Sequence, residues 1–232
     1  VARSAGVRAS RHNSSPFRIT LDTGEVIAAD AVIVATQAWA AATLLQHLDP
    51  ALGEALGAIP HVSSATVALA FRTADLPRPL HGFGYVVPRS EARPVLATTW
   101  LSAKWPGRAP DGFTLVRGFV GRAGFEDVLD GTDEHLVALV REELRGTLGI
   151  AAAPALHRVF RWDRGMPQYT LGHLDRVAAI TAAQTRLPGL AIAGNAFTGV
   201  GLPDCIRSGE TAAERVAAGV WTEYGPAVHA RS

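Results

Sequence analysis

Residues 187–209 read L-P-G-L-A-I-A-G-N-A-F-T-G-V-G-L-P-D-C-I-R-S-G, and the fold follows from this stretch. Leu190, Ala191, Ile192 and Ala193 form a short unbroken apolar run. Such a run suits a strand buried on both faces, as in a parallel sheet. Gly194, Gly199 and Gly201 follow, and Pro203 and Asp204 lead into an alanine-rich helix expected to reach about residue 220. Glycines remove side chains where backbone must come close to something else. Asp204 is placed to cap the helix. The first N–H groups of that helix, and the positive end of its dipole, then point at whatever sits in the turn. Strand, turn and helix start together predict a site for an electron-rich group.

Working outward, residues 29–36 (A-D-A-V-I-V-A-T) hold a second continuous apolar run, which suits a strand buried on both faces, as in a parallel sheet. Ahead of it, residues 17–21 alternate apolar and polar, 22–25 (D-T-G-E) turn, and 26–28 return, which reads as a β-hairpin. A helix is expected over 39–48. The middle of the chain changes character: 62–71, 82–88, 95–101 and 113–120 read as strands separated by Pro and Gly. Residues 132–148 read as an amphipathic helix, with Thr132 as its cap and Leu136, Val140, Leu144 and Leu148 along one face. One more strand is expected over 156–162, and 225–232 as a frayed tail. An α/β piece, a largely antiparallel middle and a return to α/β predict two domains, the first discontinuous: 1–46 and 166–232 in one, 47–165 in the other.

The chain has 232 residues, 48% hydrophobic and 19% charged, enough for real cores. Lys plus Arg is 22 and Asp plus Glu 21, a net charge of +1 that offers nucleic acid no basic surface. The one cysteine, Cys205, excludes an internal disulfide and suits a reducing cytoplasm. No apolar run approaches the ~20 residues of a spanning helix, and no signal peptide is expected. His81, His135, His157 and His173 stand apart without metal-ligand spacing. No metal site and no catalytic acid or base is therefore assigned; His173 is expected to make a structural hydrogen bond.

Several segments carry a resemblance. Residues 204–209 (D-C-I-R-S-G), 29–36, 82–91 (G-F-G-Y-V-V-P-R-S-E) and 166–173 (M-P-Q-Y-T-L-G-H) occur in this order, with T-W-L-S-A-K-W-P at 99–106 and V-G-R-A-G at 120–124. Together they resemble the FAD-dependent amine oxidase superfamily and, within it, the porphyrinogen oxidases, over about residues 17–217. The resemblance implies a fold of α/β plus α+β type. A partial, discontinuous, Rossmann-like FAD-binding domain would carry an inserted, largely antiparallel substrate domain. It implies FAD as cofactor, contacted by Thr36, Gly194, Asn195, Gly199, Val200, Gly201 and Asp204. It implies a porphyrinogen as substrate, contacted by Phe83, Gly84, Val86 and Arg117; Val86 is smaller than the Leu frequent at its position. Propionate carboxylates would suit arginine, with Arg89, Arg122 and Arg164 as further candidates.

The activity implied is dehydrogenation of protoporphyrinogen IX to protoporphyrin IX, or of coproporphyrinogen III to coproporphyrin III, with oxygen as acceptor, in haem biosynthesis. The resemblance leaves the choice of substrate open. Hydride transfer to a flavin needs position and electrostatics first, so the absence of a base is tolerable. The family's G-x-G-x-x-G pyrophosphate motif does not occur. The N-terminal half of the family pattern is therefore expected to be missing, and the chain to be inactive without it. Peripheral membrane contact, a homodimer and a cytoplasmic location are further expectations. The alternatives are another flavin amine oxidase relative, of monoamine oxidase or carotenoid desaturase type, and an inactive remnant or interaction module.

Overall fold

A computed structural model of the protein describes residues 17–224; the expected tail at 225–232 lies outside the described residues. The first half of the chain contains β1 (Phe17–Thr20), β2 (Val26–Ala29), β3 (Val32–Val34), α1 (Ala38–Leu45), α2 (Pro50–Gly57), β4 (His61–Arg72), β5 (Gly84–Val86), β6 (Val95–Trp100), α3 (Leu101–Lys104) and β7 (Phe113–Val120). The second half contains α4 (Asp133–Leu148), β8 (Leu156–Pro167), α5 (His173–Thr185), β9 (Leu190–Ile192) and α6 (Leu202–Tyr224). These elements form two compact units, one of residues up to His61 and from Pro167 onward, the other of Val62–Met166.

In the first unit β3 and β9 pair in parallel, Val32 opposite Leu190 and Val34 opposite Ile192. The two apolar runs are explained by what covers them. Leu190 and Ile192 pack into a core with Ala38, Ala41, Leu45, Leu52, Leu56 and Ile180 from α1, α2 and α5. Ala191 and Ala193 face the other way, against Ala212 and Val216 of α6. A strand pair sandwiched by helices has no polar face to show. The hairpin β1–β2 is antiparallel, Phe17 opposite Ala29, and Phe17 is fully buried.

The expected helix over 39–48 is α1, and a second helix that the sequence did not lead one to expect, α2, follows it. The first stops at Leu45, and Asp49 caps α2, its carboxylate accepting from the Leu52 N–H at 3.0 Å with Pro50 in the first turn. Because Leu52, Leu56 and Ile59 complete the first unit's core, the division falls after His61 and not after residue 46. The helix α5 has no counterpart in the sequence reading.

The second unit is a five-stranded sheet in the order β5-β6-β7-β4-β8. The β5–β6, β6–β7 and β4–β7 pairs are antiparallel. Helix α4 covers one face: Leu136, Val137, Val140 and Leu144 pack on Val67, Leu69, Phe71, Trp100, Val116 and Val120. Its start is capped by Thr132, whose Oγ1 accepts from the His135 N–H at 3.3 Å, and its end by left-handed Gly149. Strand β8 runs on to Pro167, past its expected end at 162. Arg164 bends it with a positive φ of 47°, and its N–H donates to Ser63 Oγ at 3.0 Å, so a charged pair in the sequence marks a bend and not a stop.

Candidate functional site

The candidate residues form two surfaces, one in each unit. In the first unit, parallel β3 and β9 end side by side. The Ala193 N–H donates to Val34 O at 3.0 Å. A Cβ built on Gly194 would lie 3.8 Å from Thr36 O, so Thr36 and Gly194 are neighbours at the carboxyl ends of the pair. Ligands of open α/β sheets bind outside these ends. Gly194 donates its N–H to Ser208 Oγ of α6 at 3.0 Å, which ties the turn to the helix that follows it.

Segment 166–173 holds the turn from the other side. The Tyr169 hydroxyl donates to Asn195 O at 2.7 Å, and His173 Nε2 lies 3.0 Å from Phe197 O. The two rings stack at 3.9 Å, 12° from parallel. Because a carbonyl can only accept, Nε2 carries the imidazole proton. The expected structural hydrogen bond of His173 is this one. Removal from water pushes the Tyr169 phenol above its usual range, and the charges of Asp204 and Cys205 add to the effect.

Asp204 has a different role from the one expected. The helix begins at Leu202, and the Cys205 N–H donates to Gly201 O at 3.0 Å, so Asp204 stands inside the first turn and is not the cap. Its carboxylate folds back over the glycine turn: a Cβ on Gly199 would overlap Asp204 Cγ, and one on Gly201 would come within 3.0 Å of Oδ2. Gly199 is therefore needed to admit Asp204. The positive helix end consequently carries a carboxylate of its own. Val200, Leu202 and Ile206 are exposed apolar side chains on this stretch, and Leu171 and Leu174 on the neighbouring one. Of these only Val200 was anticipated; exposed leucines beside a glycine turn carry no periodic signal.

In the second unit the register aligns the substrate candidates. Gly84 is opposite Thr99, Thr99 opposite Arg117, and Arg117 opposite Ala68, one row across four strands. The next row runs Val86, Ala97, Phe119, Thr66. Side chains along a strand alternate between faces, and the intervening row is turned toward α4, since a Cβ on Gly118 would strike Val140. Gly84, Val86 and Arg117 therefore share the face that α4 leaves open. Trp162 joins it, with Nε1 3.5 Å from Thr66 Oγ1. Val86 is 79% exposed and Trp162 54%. Arg117 Nε is buried with no hydrogen-bond partner among the described residues.

Phe83 lies just before β5, exposed, its carbonyl taking up the Trp100 N–H at 2.9 Å and the Thr99 hydroxyl at 2.7 Å. Gly84 has a packing reason of its own: at φ 141° a Cβ would overlap Thr98 O of β6. The other arginine candidates make contacts of their own, although Arg122 Nε and Nη2, like Arg117 Nε, are buried with no hydrogen-bond partner among the described residues. Arg89 donates to Ala123 O at 2.9 Å, Arg122 lies 4.5 Å over the Phe125 ring, and Arg164 makes the bend in β8. Phe119 and Trp162 were missed, because only the register shows which residues share a face with Arg117.

No group of His, Cys, Asp and Glu among the described residues could hold a metal ion. The arrangement is a backbone-lined turn in one unit and an apolar face bearing a guanidinium in the other.

Residues 4–217 match the family described as flavin containing amine oxidoreductase. The chain is 38% identical over 202 residues to coproporphyrinogen III oxidase of Bacillus subtilis (strain 168), covering 87% of this chain and 43% of the relative. It is 30% identical over 221 residues to the chloroplastic protoporphyrinogen oxidase 1 of Spinacia oleracea, covering 89% and 39%. Among solved structures, a protein of Exiguobacterium sp. 255-15 provisionally named a protoporphyrinogen oxidase superposes with a TM-score of 0.75 at 32% identity, over 90% of this chain and 45% of that one. Cyclohexylamine oxidase of Brevibacterium oxydans IH-35A shares the fold, with a TM-score of 0.67 at 17% identity, over 90% of this chain and 47% of that one. The chain spans about two fifths of the length of the curated relatives it matches.

Proposed function

The chain belongs to the flavin-containing amine oxidoreductase family, and on that premise we propose that it forms part of an FAD-dependent porphyrinogen oxidase of haem biosynthesis. We place coproporphyrinogen III ahead of protoporphyrinogen IX as substrate, because curated relatives named for the former are 37–40% identical and those named for the latter 30%. The observation that carries the reading is the open sheet face. A flat apolar macrocycle with acidic side arms asks for an apolar wall and a cation set into it. Val86, Phe119 and Trp162 are that wall and Arg117 is that cation.

The turn fits a flavin. Its backbone stands at the carboxyl ends of two parallel strands, Gly194 carries no side chain over Thr36, and Val200 and Leu202 are exposed beside it. When bound, the flavin supplies a hydride acceptor. Thr36, Gly194, Asn195 and the 199–201 backbone would hold it; Tyr169 and His173 fix the turn's shape. Asp204, in the first turn of α6, limits how much negative charge the helix end can take up. Arg117 would orient the substrate through a propionate, and the aromatic wall would keep water from its face.

The reading takes molecular oxygen as final acceptor, with hydrogen peroxide released, and sequence equivalent to the rest of the relatives as the partner that completes the site. A cytoplasmic location belongs to the same proposal, supported by the single cysteine; peripheral membrane contact and a homodimer remain subsidiary parts of it.

The test is expression of this chain together with its upstream coding region, followed by visible spectroscopy. Oxidised-flavin bands that bleach anaerobically on adding coproporphyrinogen III, with porphyrin fluorescence appearing on readmission of air, are the expected result. A folded but colourless protein would sink the proposal.

A further inference from the structure

Strand β5 presents Gly84 and Val86 on the open face, yet it is three residues long and sits at the edge of its sheet with β6 as its one neighbour. A strand so short and so placed should fray. What restrains it lies on the opposite face. The side chain between Gly84 and Val86, that of Tyr85, reaches α4. Its hydroxyl donates to Glu143 Oε1 at 3.0 Å and lies 2.8 Å from Thr147 Oγ1, and its ring meets Trp100 edge-on at 6.0 Å. Thr147 donates in turn to the Glu143 carbonyl at 2.6 Å. Arg93, on the connection from β5 to β6, places Nη1 3.1 Å from the same Glu143 oxygen and Nη2 2.6 Å from Glu91. One carboxylate on α4, its side chain 7% exposed, thus receives both the strand and the loop that follows it.

We propose that Tyr85, Glu143, Thr147 and Arg93 form a positioning clamp that sets, from behind the sheet, the placement of the wall against which the porphyrinogen lies. The inference rests on the function proposed above. Its physical basis is that a buried carboxylate is costly unless fully partnered, whereas an apolar residue at the same place on α4 would pack without that demand. A directional anchor is what the carboxylate adds. Tyr85 touches neither ligand surface; it acts through Val86 and Phe83. The clamp therefore governs how well substrate fits and leaves the electron transfer alone.

Tyr85→Phe removes the hydroxyl and keeps the ring against Trp100; Glu143→Gln keeps the shape and removes the charge. Hydrogen exchange in the flavin-loaded protein is expected to quicken at residues 84–87, about fivefold to tenfold in Tyr85→Phe, the factor given by losing one hydrogen bond, and by less in Glu143→Gln, whose amide oxygen still accepts from Tyr85 but loses the charge that holds Arg93, with α4 unchanged. KM for coproporphyrinogen III should rise by a similar factor, kcat should stay within about twofold, and the flavin spectrum should not move. The double variant should be no worse than the poorer single one, because the groups act as a unit. Unchanged exchange at 84–87 overturns the clamp while leaving the oxidase reading intact. Faster exchange with unchanged KM shows that β5 is held but is no substrate wall, and also overturns the proposal. Failure of the parent protein to oxidise any porphyrinogen defeats the oxidase reading itself, and the assigned purpose of the clamp with it.

Discussion

At the end of β9 the chain offers backbone: Gly194, Gly199 and Gly201 with their amides and carbonyls, held in shape by Tyr169, His173 and Ser208 from outside. On the open face of the five-stranded sheet it offers side chains: Val86, Phe119, Trp162 and Arg117, on strands fixed by a core on the other side. The two surfaces should respond to change differently. A backbone surface has no side chain to trim and fails when one is added. A side-chain surface can be altered piece by piece while the sheet beneath it stays as it was.

The largest effect is expected from the core under the side-chain surface. Leu144→Ala should destabilise the second unit by about 2–5 kcal/mol, the range for emptying a fully buried leucine site. Urea unfolding followed by hydrogen exchange reads this, and a cost under about 1 kcal/mol would mean that α4 does not seal the sheet. Protection of the 194–201 turn should be untouched.

Next comes a direct insult to the backbone surface. Gly199→Val drives a side chain into Asp204 and should cost about 1–3 kcal/mol. Flavin should be lost from the coexpressed protein while the β4–β7 core keeps its exchange protection. Retention of flavin at full occupancy would contradict a backbone-made site.

A smaller effect sharpens the comparison from within the first unit. Asp49→Ala removes the cap of α2 and should cost about 1 kcal/mol at neutral pH. The Leu52 N–H, and then Arg186 at 2.9 Å, hold the Asp49 carboxyl below its usual value. A carboxyl with a lowered folded pKa contributes stability that is fully present above its unfolded value of about 3.9 and is lost as pH falls through the folded value. The difference between parent and variant in thermal melts should thus be constant from neutral pH to about 5 and shrink below about 4. A difference that persists undiminished in acid would assign the effect to something other than the carboxylate.

The smallest change belongs to the side-chain surface. Val86→Ser, at a residue 79% exposed, should alter stability by less than about 0.5 kcal/mol yet weaken substrate binding. Calorimetry and a KM measurement together test it; unchanged KM would remove Val86 from the wall.

The parts legible in the sequence are those made by neighbours along the chain. The run at 190–193, the glycines after it, the hairpin at 17–28 and the Thr132-capped helix were all readable from local pattern. The helices α2 and α5 were not: P-A-L-G-E-A-L-G mixes two glycines and a proline with its leucines, and α5 intersperses threonines among alanines, so neither shows a strong stripe. Asp204 shows the same limit at one residue. Its identity and position suit a cap, but the chain enters the helix two residues earlier, and its carboxylate ends over Gly199.

By itself the sequence determined the strand–turn–helix unit and the antiparallel character of the middle segment, because each depends on residues within a few positions of one another, and the family resemblance, because the order of several short motifs along the chain carries it. Only the tertiary structure decided that Gly84, Thr99, Arg117 and Ala68 form one row, that Trp162 stands beside them, and that Tyr85 is anchored to Glu143. Those neighbours lie tens of residues apart in the chain. A slip of one residue in the pairing would turn every one of those side chains to the other face. The register is settled by packing against α4, through contacts that no local stretch of sequence contains.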